Sequence, residues 1–355
     1  MHKINLERVM IRVCSLAALC ILSLTACMQE NYAPLPVYSY SLMHLDELGN
    51  ITQLPMPALY PSRLKFEWIS GGRILALHDS LHIYDPSSGT LDNITPNPMF
   101  NYDYYRNYDL SPDRLWLYYD AGGKIYRLNL QNYVLETIIE SETASFYLPT
   151  ISWDGRYLCF LNCPSPPSMY SHQGGFVCWK DLQTGIVSSL PTGNTNLDRS
   201  VLYAWMPMGG KCIYYHQNSI LMRMNSDGSN RQEVLSGLVQ SRDSYDQRHL
   251  LCLKENPYFT AYLIYRDNSS LTWQDIGSAG HFSLCRSANI LYYTYSGKLT
   301  RFDLNSGSKT TLLANSFEDK SIHSIGAIAP SWDGKELYFL ITFVDKGKSA
   351  YRSIL

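Results

Sequence analysis

Apolar residues run through this chain in short bursts, each cut off by a turn, and the bursts repeat one plan. An apolar strand leads into a Ser-x-Asp-Gly-like turn, and a second strand rich in Leu, Tyr and Phe follows. A third strand ends in an Asp- or Asn-bearing turn with Gly, and a shorter, more polar fourth strand completes the unit. The first turn is clearest at Ser111-Pro112-Asp113-Arg114, Ser152-Trp153-Asp154-Gly155 and Ser331-Trp332-Asp333-Gly334. It is weaker at Ser70-Gly71-Gly72, Pro207-Met208-Gly209-Gly210, Ser244-Tyr245-Asp246-Gln247 and Arg286-Ser287-Ala288-Asn289. The second turn recurs at Asp85 to Gly89, Asp181 to Gly185, Asn225 to Gly228 and Asp303 to Gly307. The first turns recur at intervals of roughly 37 to 55 residues, most of them near 42, the length of one four-stranded propeller blade.

The physics fits that reading. Asp at a turn hydrogen-bonds the backbone two residues on, and the glycine beside it accepts a positive φ, so the pair fixes a tight antiparallel connection. Strands apolar on both faces, such as Leu115 to Tyr119, need a sheet covered on both sides, which radial blades supply. The expected fold is all-β: a single propeller, seven blades by this count, with six or eight as the neighbouring alternatives. Blade starts fall near Phe66, Asp109, Thr150, Tyr203, Leu238, Phe282 and Ile325. The last blade runs out of chain, with only Tyr351 to Leu355 for a third strand. Tyr38 to Leu45 and Asn50 to Leu54 read as spare outer strands, one or two of which would close the ring and remove its exposed edges.

The Ser-Pro/Trp-Asp-Gly turn followed by Leu-Tyr-Phe resembles the repeat of TolB-type propellers, also called WD40-like PD repeats. The same repeat occurs in the propellers of prolyl-oligopeptidase-like enzymes. The likeness covers about residues 64–355. It implies a propeller fold and a role in binding partners of the cell envelope.

The N-terminus carries a different pattern. Lys3, Arg8 and Arg12 precede an apolar run from Val13 to Leu24. That run falls short of the roughly 20 residues a membrane-spanning helix needs, so it reads as a secretory signal. It closes on Leu24-Thr25-Ala26-Cys27, which resembles the lipobox of bacterial lipoproteins. The resemblance implies a signal peptide over residues 1–26, lipidation of Cys27, a tether over 27–37 and the propeller over 38–355. Met28, not Asp, follows the cysteine, which implies delivery to the outer membrane, facing the periplasm.

Charge then narrows the partners. Removing residues 1–26 leaves 26 basic and 30 acidic residues, a formal charge of −4. No clustered basic face suggests nucleic acid, and a monomeric ring is expected. Cys159, Cys163, Cys178, Cys212, Cys252 and Cys285 remain besides Cys27. Cys159 and Cys178 stand where they could face each other across one hairpin, with Cys163 a competitor; the others read as small buried hydrophobes.

The sequence holds no Gly-x-Ser-x-Gly elbow, no His-Glu-x-x-His, no phosphate-binding glycine loop and no calcium loop. No cofactor, metal or catalytic set is therefore expected. His78 and His82 flank a strand turn and read as structural. Asp113, Asp154 with Gly155, and Asp333 with Gly334 serve turns repeated once per blade, expected to lie tens of ångströms apart. Two loops read as recognition surface on one face. One, between the first two blades, carries Phe100, Tyr102, Tyr104, Tyr105 and Arg106. The other, from Pro164 to Gln173, carries Met169 and Tyr170. Aromatic and Arg anchors suit protein contact and glycan stacking. The expected function is a non-enzymatic binding scaffold for a protein or envelope glycan. The alternative is a propeller lyase or hydrolase whose site is assembled in the central funnel from several blades.

Overall fold

The computed structural model describes residues 35–55, 65–77, 80–97, 108–163, 176–190, 201–207, 209–217, 220–236, 240–244, 249–255, 261–267, 272–285 and 287–350. Every regular element among them is a β-strand. A large compact unit spans Tyr40–Thr342, and Met1–Ser39 with Phe343–Leu355 is assigned to a second, small one; the blades lie in the large unit except for the ends of two strands, Leu35–Leu45 and Leu337–Ala350, which run into the small one.

The chain is a β-propeller of seven blades among the described residues. Five are separate four-stranded antiparallel sheets. The sixth and seventh share one nine-stranded sheet, bridged by the two-residue strand Ser316–Phe317. The first strands of the blades are Lys65–Ile69, Tyr108–Leu110, Phe146–Ile151, Val201–Trp205, Gln240–Ser244, His281–Cys285 and Lys320–Pro330. Each includes, or begins within two residues of, a start expected from the turn spacing. The seventh blade is completed from the other end of the chain. Lys320–Pro330 and Leu337–Ala350 are joined by Leu35–Leu45 and then Ile51–Leu54, so two N-terminal strands close the ring. Closure is aromatic as well as hydrogen-bonded: the Tyr338 ring stacks on His44 at 4.8 Å and on Trp68 of the first blade at 5.0 Å.

Burial follows the expected gradient. The second strands are buried on both faces: all six residues of Cys212–Gln217 are, and four of five in Arg73–Leu77. The fourth strand Thr90–Asn93 has no buried residue. Strand alternation sends neighbouring side chains to opposite blades. Leu117 and Tyr119 pack with Leu75, Leu77 and Ile83 of the first blade, whereas Tyr118 packs with Leu158 and Phe160 of the third. Leu42, Phe66, Ala76, Ala329 and Leu340 form the equivalent core where the seventh blade meets the first. Each fully buried Leu or Phe contributes about 1.5–3 kcal/mol, and these cores lie between blades, so each blade draws this stabilisation from its neighbours.

The same alternation corrects the cysteine reading. Cys159 pairs with Trp179, and Cys178 pairs with Phe160. One residue of register places Cys159 against the fourth blade and Cys178 against the second. Both, with Cys163, Cys212 and Cys285, are free and buried. Burial pushes the Cys178 thiol up to about 11 and that of Cys163 to about 12, which makes them inert packing groups.

Candidate functional site

The two faces of the propeller are built differently. One carries the turns between first and second strands and between third and fourth. In each clear copy of the first turn the serine hydroxyl does two jobs. Ser111, Ser152 and Ser331 donate to Asp113, Asp154 and Asp333 at 2.5, 2.6 and 2.8 Å. Each also accepts the backbone N–H five residues on, from Trp116, Tyr157 and Glu336. The aspartates in turn accept the N–H groups of Leu115, Arg156 and Lys335. The position after each aspartate is left-handed: φ is +59° at Arg114, +71° at Gly155 and +69° at Gly334. These hydrogen bonds close the turns within six residues of chain.

Neighbouring turns are also tied to one another. Gly209 N–H donates to Asp154 at 2.8 Å, and the Ser287 hydroxyl donates to the Trp332 carbonyl. Arg114 lies 3.5 Å from Glu67 of the first blade. The expected wide separation of the turns does not extend to their side chains. Trp153 of the third blade and Trp332 of the seventh stack at 5.3 Å with planes 10° apart. These blades are not adjacent, so the indoles bridge the ring, and Trp332 keeps 43% of its surface exposed. Each blade's turn, read alone, gives no sign of this meeting.

The opposite face carries the loops between second and third strands and the connections between blades. Two recognition loops are expected from the sequence. Phe100, Tyr102, Tyr104, Tyr105 and Arg106 lie outside the described residues, as do Met169, Tyr170 and His78, and Cys27 also lies outside them. His82 is described and hydrogen-bonds Ser80 at 2.6 Å. Between the second and third blades this face holds a cavity of about 490 Å³. Its walls are the hairpin at Gly122–Lys124, the connection Ser141–Ser145 and the end of a strand at Asn162 and Cys163.

Near these walls lies a residue the sequence reading did not single out. Asp120 is 5% exposed and accepts the Leu148 N–H at 2.8 Å. That N–H is available because the first strand of the third blade bulges between Tyr147 and Thr150, with Leu148 at φ +54°. Burial pushes the Asp120 carboxyl up to about 7, against the pull of that one hydrogen bond. A signal existed: Asp120 ends the run Leu115-Trp116-Leu117-Tyr118-Tyr119 where the third and seventh blades place Leu161 and Leu340. A charge in a strand apolar on both faces is out of place. Elsewhere, burial lowers His216 to about 4. No group of three or more His, Cys, Asp or Glu side chains converges among the described residues.

No family model matches this chain, and no curated protein matches it by sequence. Among solved structures it is similar to an oligogalacturonate lyase in complex with manganese, with a TM-score of 0.55 and 13% identity over 87% of this chain and 98% of that one. It is also similar to a puromycin-hydrolyzing peptidase of Mycobacterium tuberculosis (TM-score 0.50, 15% identity, 80% of this chain and 54% of that one). A putative TolB from Agrobacterium tumefaciens aligns with a TM-score of 0.42 at 13% identity, over 86% and 99% of the two chains. At such identities the likeness is one of fold. The fold is a propeller, built of repeated small antiparallel sheets.

Proposed function

We propose that this chain is an envelope-anchored, non-enzymatic scaffold that presents the loop face of its propeller to a protein partner or an envelope glycan. The observation that carries the reading is how the buried polar side chains are used. Ser111, Ser152 and Ser331 hold turns. Asp120 binds the Leu148 N–H, Thr150 the Ala204 carbonyl and Thr294 the Ile325 carbonyl, each across a blade boundary. These groups are engaged with backbone, which rigidifies the ring. Rigid display suits binding, because little conformational freedom is lost on contact.

In this reading Cys27 carries the lipid, and the ring faces the periplasm from the outer membrane. Phe100, Tyr102, Tyr104, Tyr105, Arg106, Met169 and Tyr170 form the contact surface. Crosslinking in cells followed by pull-down through the intact lipoprotein tests the proposal. One reproducible envelope partner is expected, diminished when Tyr104 and Tyr105 are both replaced by alanine in a protein that still melts normally. Undiminished recovery places the contact elsewhere, and recovery of no partner at all defeats the scaffold. A Cys27→Ser variant loses palmitate labelling; a wild type that never labels refutes the anchor.

A further inference from the structure

We propose that the cavity between the second and third blades is a binding site for an uncharged saccharide unit. This rests on the reading of the loop face as the binding face, and it names a ligand class and a place. The volume of about 490 Å³ lies within the range of small-ligand sites, about 300–1,000 Å³.

The lining decides the chemistry. Ser141, Thr143 and Ser145 supply hydroxyls, Asn162 an amide and Glu142 a carboxylate, while no aromatic or large aliphatic side chain contributes. Hydroxyls and amides both donate and accept, so a partner must do the same at several points. An apolar ligand would strip water from the Asn162 amide and from hydroxyls that otherwise meet only each other, as Ser141 and Thr143 do at 3.4 Å, and would be disfavoured. An anionic ligand needs an uncompensated cation. The cation of the wall, Lys124, is held by Glu140 at 2.8 Å. Glu142 is exposed to solvent, where pairing with a ligand cation gains little, so the lining best suits a hydroxyl-rich ligand without net charge.

The walls are preformed. Phe146 N–H donates to the Gly123 carbonyl at 2.8 Å, and Cys163 N–H to the Ser145 carbonyl at 3.0 Å, so backbone bonds stitch the three segments together. Gly123 has φ +78°, and a Cβ there would meet the Ser145 Oγ at 2.8 Å. Only glycine lets the hairpin close against this wall. A site ordered in advance loses little entropy on binding.

The test is calorimetry on the full-length protein in detergent with maltose, lactose and chitobiose, with glucuronic acid and glucosamine as charged contrasts. At least one neutral disaccharide is expected to bind saturably. Asn162→Ala and the exposed, near-isosteric Thr143→Val should each weaken it roughly tenfold, the loss of a hydrogen bond or two. Ser306→Ala on the sixth blade should leave it unchanged. Thr143→Val, lying on the surface, keeps the test valid if Asn162→Ala misfolds. Binding that survives both cavity variants, preference for a charged sugar, or no binding by any neutral disaccharide overturns the proposal. The pull-down tests the scaffold separately: a captured protein partner with no sugar binding ends this proposal and leaves the scaffold standing.

Discussion

Replacing Gly334 by alanine separates two costs that usually arrive together. Gly334 sits at φ +69° in the first turn of the seventh blade, and Gly307 at φ +71° in the second turn of the sixth. The left-handed conformation penalises an added Cβ by about 1–2 kcal/mol at either site. Around Gly307 there is nothing within 4 Å, so alanine there meets the conformational term alone. At Gly334 the new Cβ would lie 3.0 Å from the Ile290 Cδ1, 3.1 Å from the Ala288 Cβ and 3.2 Å from the Cys285 Sγ. All three neighbours sit on the first turn of the sixth blade or directly against it, and neither the Ala288 Cβ nor the Cys285 Sγ can retreat cheaply. Overpacking of this kind adds about 1–3 kcal/mol. Gly334→Ala should therefore destabilise by about 2–5 kcal/mol and Gly307→Ala by about 1–2 kcal/mol. Urea unfolding followed by tryptophan fluorescence reads the difference. With a slope of about 3 kcal/mol per molar, the two midpoints should differ by roughly 0.3–1 M. Equal midpoints would refute the claim that these turns are packed blade against blade.

Three other outcomes follow from the same geometry. Tyr133 holds a left-handed φ of +61° where other blades place Gly89, Gly185 and Gly307, so Tyr133→Gly should stabilise by about 1 kcal/mol and raise the urea midpoint accordingly; a loss of stability would show that the exposed ring makes compensating contacts. Asp120, pushed up to about 7 by burial, favours the protonated form in the fold. Its contribution is complete below the unfolded value near 4 and is lost as pH rises to 7, a few kcal/mol at about 1.4 kcal/mol per unit. Denaturation midpoints measured from pH 4 to 8 should show this decline in the wild type and not in Asp120→Asn. Trp332→Ala should abolish the coupled far-ultraviolet dichroism of the stacked indoles and destabilise modestly, by about 0.5–1.5 kcal/mol; an unchanged spectrum would mean the two rings do not meet in solution.

The fold was legible because it is written locally and repeatedly. Ser-x-Asp-Gly encodes its own hydrogen bonds within six residues, as Ser152, Asp154 and Tyr157 show, and strands such as Leu115 to Tyr119 announce two buried faces. Blade starts, the count of seven and the need for N-terminal strands in the last blade all follow from that spacing. What the sequence left open depends on register and on which blades meet. Whether one N-terminal strand or two would close the ring was decided by pairing with Leu337–Ala350. Whether Cys159 could reach Cys178 was decided by a single residue of register. The Trp153–Trp332 stack joins positions 179 residues apart through blades that are not neighbours. The carboxyl of Asp120 acquires its character only because a bulge in the next blade turns the Leu148 N–H toward it in a buried setting. Local hydrogen bonds and periodicity act over a few residues and can be read in order. Packing between blades brings together residues whose separation in sequence carries no trace of their contact.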